Sequence, residues 1–237
     1  MSEHEMLRDP LIAFVLRNGG ADAALALLAE SARPTQDAPV LQAALRQLRE
    51  AGTAGSPFAM CMCSRLSRAG IGTLKSDHDA YMWAQRAAAV GFPPGLYELG
   101  QCFENGIGVA RDIHRAHALY EQASGGGYGF AAQRLGRAYY DGDFGVRDLE
   151  KAVRCMERAA DLGESLAALN LAEWYSCGDR LAKDYAAAVR WYQRGADLGD
   201  PLATLQLFLA YSEGELGLQR DLTLANRYKE LAEQQDK

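Results

Sequence analysis

Residues 130–165 read FAAQRLGRAYYDGDFGVRDLEKAVRCMERAADLGES. In the first half of this stretch, Ala131, Leu135 and Tyr139 follow one another at intervals of four residues. That spacing predicts the apolar face of an α-helix. Gly136 stands next to Leu135, and its missing side chain leaves room for a second helix to approach closely.

The second half of the stretch predicts a turn followed by another helix. Gly142 and Gly145 stand where glycine commonly ends a helix, and Asp148 stands where a carboxylate can cap the next one. This second helix runs to Gly163. Its predicted buried face consists of Ala152, Cys155, Met156, Ala159 and Ala160. Residues 130–165 therefore predict a helix-turn-helix hairpin.

The same pattern recurs along the chain with a period of 36 residues. Three sets of positions carry it: Gly70, Gly106, Gly142, Gly178 and Gly214; Ala59, Gly95, Ala131, Ala167 and Ala203; and Trp83, Leu119, Cys155 and Trp191. Repeats of this length stack on their neighbours and bury a continuous core. The period divides the chain into repeats at 58–93, 94–129, 130–165 and 166–201, and a C-terminal capping repeat at 202–237.

The two ends of the array depart from the regular pattern. In residues 202–237 the second helix slips by one position, so that its cap is Asp221, and the chain ends in the polar sequence EQQDK. Counting back by 36 residues predicts a degenerate repeat at 22–57, and residues 1–21 are predicted to form an N-terminal capping helix. All these segments together are expected to form one continuous solenoid domain.

Composition narrows the possible environments and partners. The net charge of −6 makes nucleic acid a poor partner, and no apolar run reaches the roughly 20 residues that span a bilayer. The N-terminus carries Glu3, Glu5 and Asp9 where a signal peptide would carry basic residues. The five cysteines fall at different repeat positions, which favours reduced thiols. We therefore expect a cytoplasmic protein with no membrane insertion.

The recurring residues also resemble a known family. The pattern Ala-x3-Leu-Gly-x2-Tyr, Gly-x-Gly-Val, Asp, then Ala-x2-Trp-Tyr-x2-Ala-Ala-x2-Gly is similar to that of the Sel-like repeat (SLR) family, relatives of tetratricopeptide repeats. The resemblance implies an all-α fold, a right-handed α/α superhelical solenoid of helix-turn-helix repeats. It also implies an adaptor or scaffold, in bacteria often in signalling, secretion or envelope processes. Departures are Ala172, Phe208 and the segment Arg180-Leu181-Ala182.

Catalytic and cofactor patterns are weak in this sequence. Neither an S-x-x-K nor a G-x-S-x-G pattern occurs, so a serine hydrolase lacks its usual nucleophile. His114 and His117 would share a helix face, but two ligands do not make a metal site. The run Gly125-Gly126-Gly127 lacks the spacing of a phosphate-binding loop. We predict no enzymatic activity, no cofactor and no metal.

The aromatic residues divide into two groups. Trp83, Tyr120, Trp191 and Tyr192 occupy recurring positions that favour packing in the core over contact with a ligand. Trp174 stands where other repeats carry Leu66, Cys102, Ala138 and Ala210, which predicts partial exposure.

The variable positions of the first helices are the candidate binding residues. If the repeats stack as tetratricopeptide repeats do, these positions line the concave face, where another protein or peptide would bind. They are Tyr97, Gln101, Glu104, Asn105, Gln133, Arg137, Tyr140, Asp141, Glu173, Trp174 and Ser176. The alternative is that these side chains are merely solvated.

Three functions remain open at this stage. The favoured hypothesis is a non-enzymatic adaptor or scaffold that binds a partner protein on the concave face. The second is an immunity-type or regulatory inhibitor that occludes a partner enzyme. The least favoured is a hydrolase, because the nucleophile patterns are missing.

Overall fold

The computed structural model describes residues 38–71, 73–145 and 147–235. These ranges contain eleven α-helices and no β-strand. In chain order the helices are α1 (Ala38–Thr53), α2 (Pro57–Ala69), α3 (Asp77–Ala89), α4 (Pro93–Asn105), α5 (Ile113–Gly125), α6 (Gly129–Asp141), α7 (Leu149–Asp161), α8 (Ser165–Cys177), α9 (Tyr185–Asp197), α10 (Pro201–Glu213) and α11 (Leu222–Gln235). The predicted capping helix at 1–21 and the first part of the degenerate repeat, 22–37, lie outside the described residues.

The helices pack as consecutive antiparallel hairpins in two compact units. The first unit extends to Tyr128 and contains the hairpins α2–α3 and α4–α5, with α1 packed on α2. The second unit begins at Gly129 and contains the hairpins α6–α7, α8–α9 and α10–α11. The predicted all-α class and the helix-turn-helix repeat are therefore confirmed.

The positions that repeat most regularly form the core. The leucine position of each first helix is buried, and its five occupants are Cys63, Leu99, Leu135, Leu171 and Leu207. Gly136, which follows Leu135, allows the second helix of the hairpin to approach closely, as predicted. A Cβ atom on Gly136 would lie 2.8 Å from Cγ of Met156 and 3.1 Å from the carbonyl oxygen of Ala152. Here α7 packs against the bare backbone of α6.

One hydrogen bond recurs in the turns between paired helices. The backbone N–H of Asp112 donates to the carbonyl of Phe103 (2.9 Å), and that of Asp148 donates to Tyr139 (3.0 Å). The predicted cap is confirmed, because the Asp148 carboxylate accepts the N–H of Lys151 at 2.9 Å. This bond is the main reason that the pKa of Asp148 is lowered.

The slip predicted for the last repeat is visible in the same turn. The N–H of Asp221 donates to the carbonyl of Tyr211 at 2.8 Å, one residue later than the 36-residue period requires. The carboxylate of Asp221 then accepts the N–H of Leu224 at 3.0 Å and caps α11. The extra residue is taken up in the turn, where Leu216 adopts a positive φ of 55°.

The five cysteines are reduced thiols that differ in accessibility. Cys61, Cys63 and Cys102 are buried, whereas Cys177 is exposed at the end of α8. Cys155 is half-buried, although the sequence pattern places it on the buried face of its helix. Its neighbour Met156 is completely buried instead.

We expect these thiols to react at very different rates with a thiol reagent in the native protein. Burial raises the pKa of Cys63 and of Cys102 to about 11, and it raises the pKa of Cys61 well above its usual value. Because the thiolate is the nucleophile, Cys177 should react first. Peptide mapping after brief iodoacetamide treatment checks this order. Equal labelling of Cys102 and Cys177 in folded protein would contradict the packing described here.

Candidate partner-binding surface

In the first unit, three of the four predicted binding residues are held by other parts of the chain. The ring of Tyr97 packs against Tyr120 and Tyr128, with both centroid distances 5.3 Å. Its hydroxyl accepts a hydrogen bond from the amide of Gln101 at 3.0 Å. The Glu104 carboxylate accepts a hydrogen bond from the hydroxyl of Tyr120 at 2.5 Å. These three side chains are half-buried and stabilise the helix pair.

A buried ion pair also joins α4 to the preceding first helix, α2. The carboxylate of Glu98 is 2% exposed and accepts a hydrogen bond from Nε of Arg65 at 2.5 Å. On the same helix α2, Arg68 donates to the side chain of Gln101 at 2.9 Å. The first helices of neighbouring repeats are thus joined by polar bonds. Asn105, the fourth predicted residue, is exposed and donates to the carbonyl of Gln101 at 2.9 Å.

In the second unit, an aromatic stack lies between two first helices. The rings of Tyr140 on α6 and Trp174 on α8 are parallel within 4°, and their centroids are 4.0 Å apart. Both residues are half-buried, as predicted for Trp174. Their stacking pairs two large side chains that both retain exposed surface.

Arg180, in the loop after α8, completes this cluster. Its guanidinium lies over the Tyr140 ring at 4.6 Å from the centroid. One of its nitrogens, Nη1, donates to the Asp141 carboxylate and to the Tyr140 carbonyl, both at 2.8 Å. Partial burial raises the pKa of Tyr140, and the charge of Arg180 opposes that shift. We call Tyr140, Asp141, Trp174 and Arg180 the aromatic–arginine cluster.

The other predicted residues of the second unit differ in exposure. Arg137 and Glu173 are exposed, and Ser176 is half-buried with its hydroxyl donating to the carbonyl of Glu173 at 3.1 Å. Partial burial, with a smaller effect of Asp200, raises the pKa of Glu173. Gln133 departs from the expectation of an exposed groove position, because it is only 7% exposed.

Exposed leucines extend the same helix face toward the end of the chain. Leu166 occupies in α8 the position that Leu202 occupies in α10, and Leu205 lies one turn after Leu202. Their exposed fractions are 47%, 58% and 43%. By helical periodicity they share a face with the positions of Arg137 and Tyr140 in α6. We call this face, together with the aromatic–arginine cluster, the first-helix surface of the second unit.

Two components of this surface were not predicted from sequence. Arg180 stands in a segment that departs from the repeat pattern, and its contacts with Tyr140 and Asp141 span about one repeat, so no local pattern indicates them. The exposed leucines could have been predicted from the sequence, because an apolar residue recurs at positions 130, 166 and 202 on the variable face of the first helices.

Residues that the sequence pattern assigned to other roles differ in burial. Tyr120 and Tyr192 are buried as predicted, while Trp83 and Trp191 are partly buried and pack on the edges of core clusters. His114 is exposed, and His117 lies 3.7 Å from Glu121. Within the described residues, no group of three or more His, Cys, Asp or Glu side chains could hold a metal ion. None of the described helices combines the length and apolar character needed to cross a bilayer.

Helical hairpins of constant length that recur along the chain define a repeat protein of the tetratricopeptide-like class. The chain belongs to the Sel1 repeat family: the family model matches five consecutive repeats at 57–92, 93–128, 129–164, 165–200 and 201–236. Each matched repeat begins one residue before the corresponding repeat that the 36-residue period predicts. Sel1 repeats generally mediate interactions between proteins. Among curated proteins, none matches the sequence significantly.

Solved structures share the fold. A Sel1 repeat protein from Oxalobacter formigenes is 25% identical, with a TM-score of 0.65 over 90% of this chain and 83% of that protein. The immunity protein Pa5087 from Pseudomonas aeruginosa is 20% identical, with a TM-score of 0.64 over 90% of this chain and 80% of that one. The immunity protein PA5088 from the same organism is 20% identical, with a TM-score of 0.62 over 90% and 81%.

Proposed function

We propose that this protein is a non-enzymatic adaptor or scaffold that binds a partner protein through the first-helix surface of its second unit. The observation that carries the proposal is the half-exposed stack of Tyr140 and Trp174 with Arg180 over the tyrosine ring. Tyrosine, tryptophan and arginine are the residue types that most often dominate the binding energy of protein interfaces. The proposed setting is the cytoplasm.

The cluster is well suited to binding because its side chains are already ordered. Stacking fixes the two rings, and the bonds from Arg180 to Asp141 and to the Tyr140 carbonyl fix the guanidinium. A partner that docks on ordered side chains loses less conformational entropy than one that must immobilise them. The exposed leucines of α8 and α10 add apolar area to this surface.

The charges on this surface favour a partner segment of mixed polarity. Arg137 and Arg180 are cationic, and Asp141 and Glu173 are anionic, so neither sign prevails. Such a surface suits an extended peptide segment that offers both apolar and polar side chains. It does not favour a polyanion, in keeping with the net charge of −6.

A second candidate function is inhibition of a partner enzyme by occlusion. Two of the structures that share this fold are named immunity proteins, which is consistent with such a role. At 20% identity this likeness carries the fold alone. A toxic hydrolase encoded beside this protein, and loss of its activity on addition of the purified chain, would favour inhibition. A hydrolase role is least favoured, and assays with ester and β-lactam substrates should show no turnover.

Combined replacement of the exposed Arg137 and the half-buried Tyr140 tests the proposed surface. We expect the double substitution Arg137→Ala and Tyr140→Ala to abolish capture of a partner that the unmodified chain binds. The change at Tyr140 removes one of the two stacked rings, and the same ring is the one beneath Arg180. Truncation of such central residues typically costs about 2 kcal/mol or more, which is roughly thirtyfold in affinity. Affinity capture followed by mass spectrometry, with circular dichroism to confirm unchanged helicity, measures the effect.

The matched control removes an arginine and a tyrosine from second helices instead. Arg154 and Tyr185 are both exposed, and neither belongs to the first-helix surface. Arg154→Ala with Tyr185→Ala should therefore retain the partner. Capture that survives the Arg137 and Tyr140 changes but is lost in the control would rule out the proposed surface.

A further inference from the structure

A cavity of about 490 Å³ lies in the second unit, outside the first-helix surface. It opens between the second helices α7 and α9 and the end of α8. The residues that line it are Glu157, Tyr175, Asp184, Ala187, Arg190, Trp191 and Arg194. None of these residues belongs to the proposed partner-binding surface.

In the two preceding repeats, a cationic side chain of the chain itself lies over the corresponding aromatic ring. Nζ of Lys151 lies over the Tyr139 ring at 5.3 Å from the centroid and 3.5 Å from the capping carboxylate of Asp148. In the repeat before it, the guanidinium of Arg115 lies over the Phe103 ring at 5.4 Å. Arg115 likewise pairs with its cap, Asp112, at 3.3 Å. In each of these two repeats, one cation thus contacts both an aromatic ring and a capping aspartate.

The next repeat keeps the ring and the carboxylate but lacks the cation. Tyr175 and Asp184 follow Tyr139 and Asp148 at 36 residues, whereas Ala187 replaces Lys151. Ala187 lines the cavity, and within the described residues no cation lies over the Tyr175 ring. The cavity is therefore the space that a lysine or arginine side chain occupies elsewhere in the chain.

We propose that this cavity accepts a lysine or arginine side chain from a partner protein. The tyrosine ring would receive the cation on its face, and Asp184 would supply the carboxylate that Asp148 supplies to Lys151. Glu157 adds a second carboxylate at the wall, and Trp191 adds apolar surface for the methylene chain.

The two arginines that line the cavity are compatible with a bound cation. Their equivalents in the preceding repeat, Arg154 and Arg158, are present together with Lys151 on the same helix α7. The carboxylates of Glu157 and Asp184 balance them, so the lining carries no net charge. Burial raises the pKa of Tyr175, with Glu157 and Asp184 raising it further and Arg190 lowering it.

Titration of the isotope-labelled full chain with small cations tests the proposal. The probes are N-acetyl-arginine methylamide and N-acetyl-lysine methylamide, and the neutral control is N-acetyl-citrulline methylamide. We expect the cationic probes to shift amide signals around 184–194 and the Trp191 indole signal. The citrulline compound should bind about tenfold more weakly, because it has the same shape without the charge.

Two variants separate the cavity from non-specific binding. Ala187→Lys restores the residue of the preceding repeat and should fill the cavity with the chain's own cation, with about a tenfold loss of probe affinity. Tyr175→Leu should weaken binding without supplying a cation. Conversely, Lys151→Ala should open a second cavity and add shifts around Tyr139. Equal binding of arginine and citrulline probes, unchanged binding to Ala187→Lys, or no shift around 184–194 would overturn the proposal.

Discussion

Replacement of Glu98 by alanine is expected to lower the free energy of unfolding by about 3 kcal/mol. The Glu98 carboxylate is almost completely buried between α2 and α4, where Arg65 donates to it at 2.5 Å and Arg68 lies at 3.9 Å. Its removal leaves the Arg65 guanidinium, itself largely buried, without its carboxylate. Loss of one partner of a buried pair is costly because the remaining charge, which keeps only part of its water, loses its nearest counter-charge. Denaturant unfolding of the full chain measures the change.

An exposed ion pair of the same length provides the control. Glu150 and Arg154 on α7 also approach to 2.5 Å, but their side chains are 79% and 60% exposed. Glu150→Ala should cost less than about 1 kcal/mol, because water screens the pair and solvates the arginine that remains. Simultaneous Arg65→Met and Glu98→Met should recover much of the lost stability. Similar losses in Glu98→Ala and Glu150→Ala would refute the buried-pair account.

The second large effect is expected at Gly95, the one glycine among the alanines of its repeating position. A Cβ atom here would lie 2.6 Å from the backbone carbonyl carbon of Ala87 and 2.6 Å from its Cβ. Backbone cannot give way as a flexible side chain does, so Gly95→Ala must push α3 and α4 apart. We expect a loss of about 2 kcal/mol in the free energy of unfolding, a typical cost of overpacking.

The same substitution at Gly125 separates this clash from the general effect of adding a methyl group. Gly125 is the last residue of α5, and a Cβ atom on it would have no heavy atom within 4 Å. Gly125→Ala should be neutral or slightly stabilising, because alanine favours the helix over glycine by up to about 1 kcal/mol. If Gly95→Ala were equally neutral, the close packing of α3 on α4 would be incorrect.

Much of the fold could be predicted because its determinants repeat. The fixed 36-residue spacing of the helix-ending glycines, the capping aspartates and the buried leucines gave the hairpin and its turns. Even the slip at Asp221 could be predicted, since it appears as a one-residue shift in the cap. Each of these features depends on residues close together in the chain or at equivalent positions in neighbouring repeats.

The candidate site was less predictable because it depends on pairs of residues from different repeats. The variable positions were identified, but periodicity does not tell which of them the chain uses itself. Tyr97 and Gln101 are engaged by Tyr120 and by Arg68, which lies 33 residues before Gln101. Arg180 reaches Asp141 across 39 residues. Contacts between residues so far apart in the sequence can be identified only from the structure.

The proposed cavity shows a further use of the repeats. The replacement of Lys151 by Ala187 is visible in the sequence, but its meaning depends on where Lys151 lies. Only the position of that ammonium group over Tyr139 reveals what the next repeat lacks.

Site-specific crosslinking tests the central claim, partner binding on the first-helix surface, most directly. A photoreactive benzoylphenylalanine at position 137, which is exposed on α6, should crosslink to the captured partner on illumination. The same residue at position 150, exposed on α7, should give no adduct above background. Crosslinking at position 150 and none at position 137 would contradict the account and place the partner on the second helices.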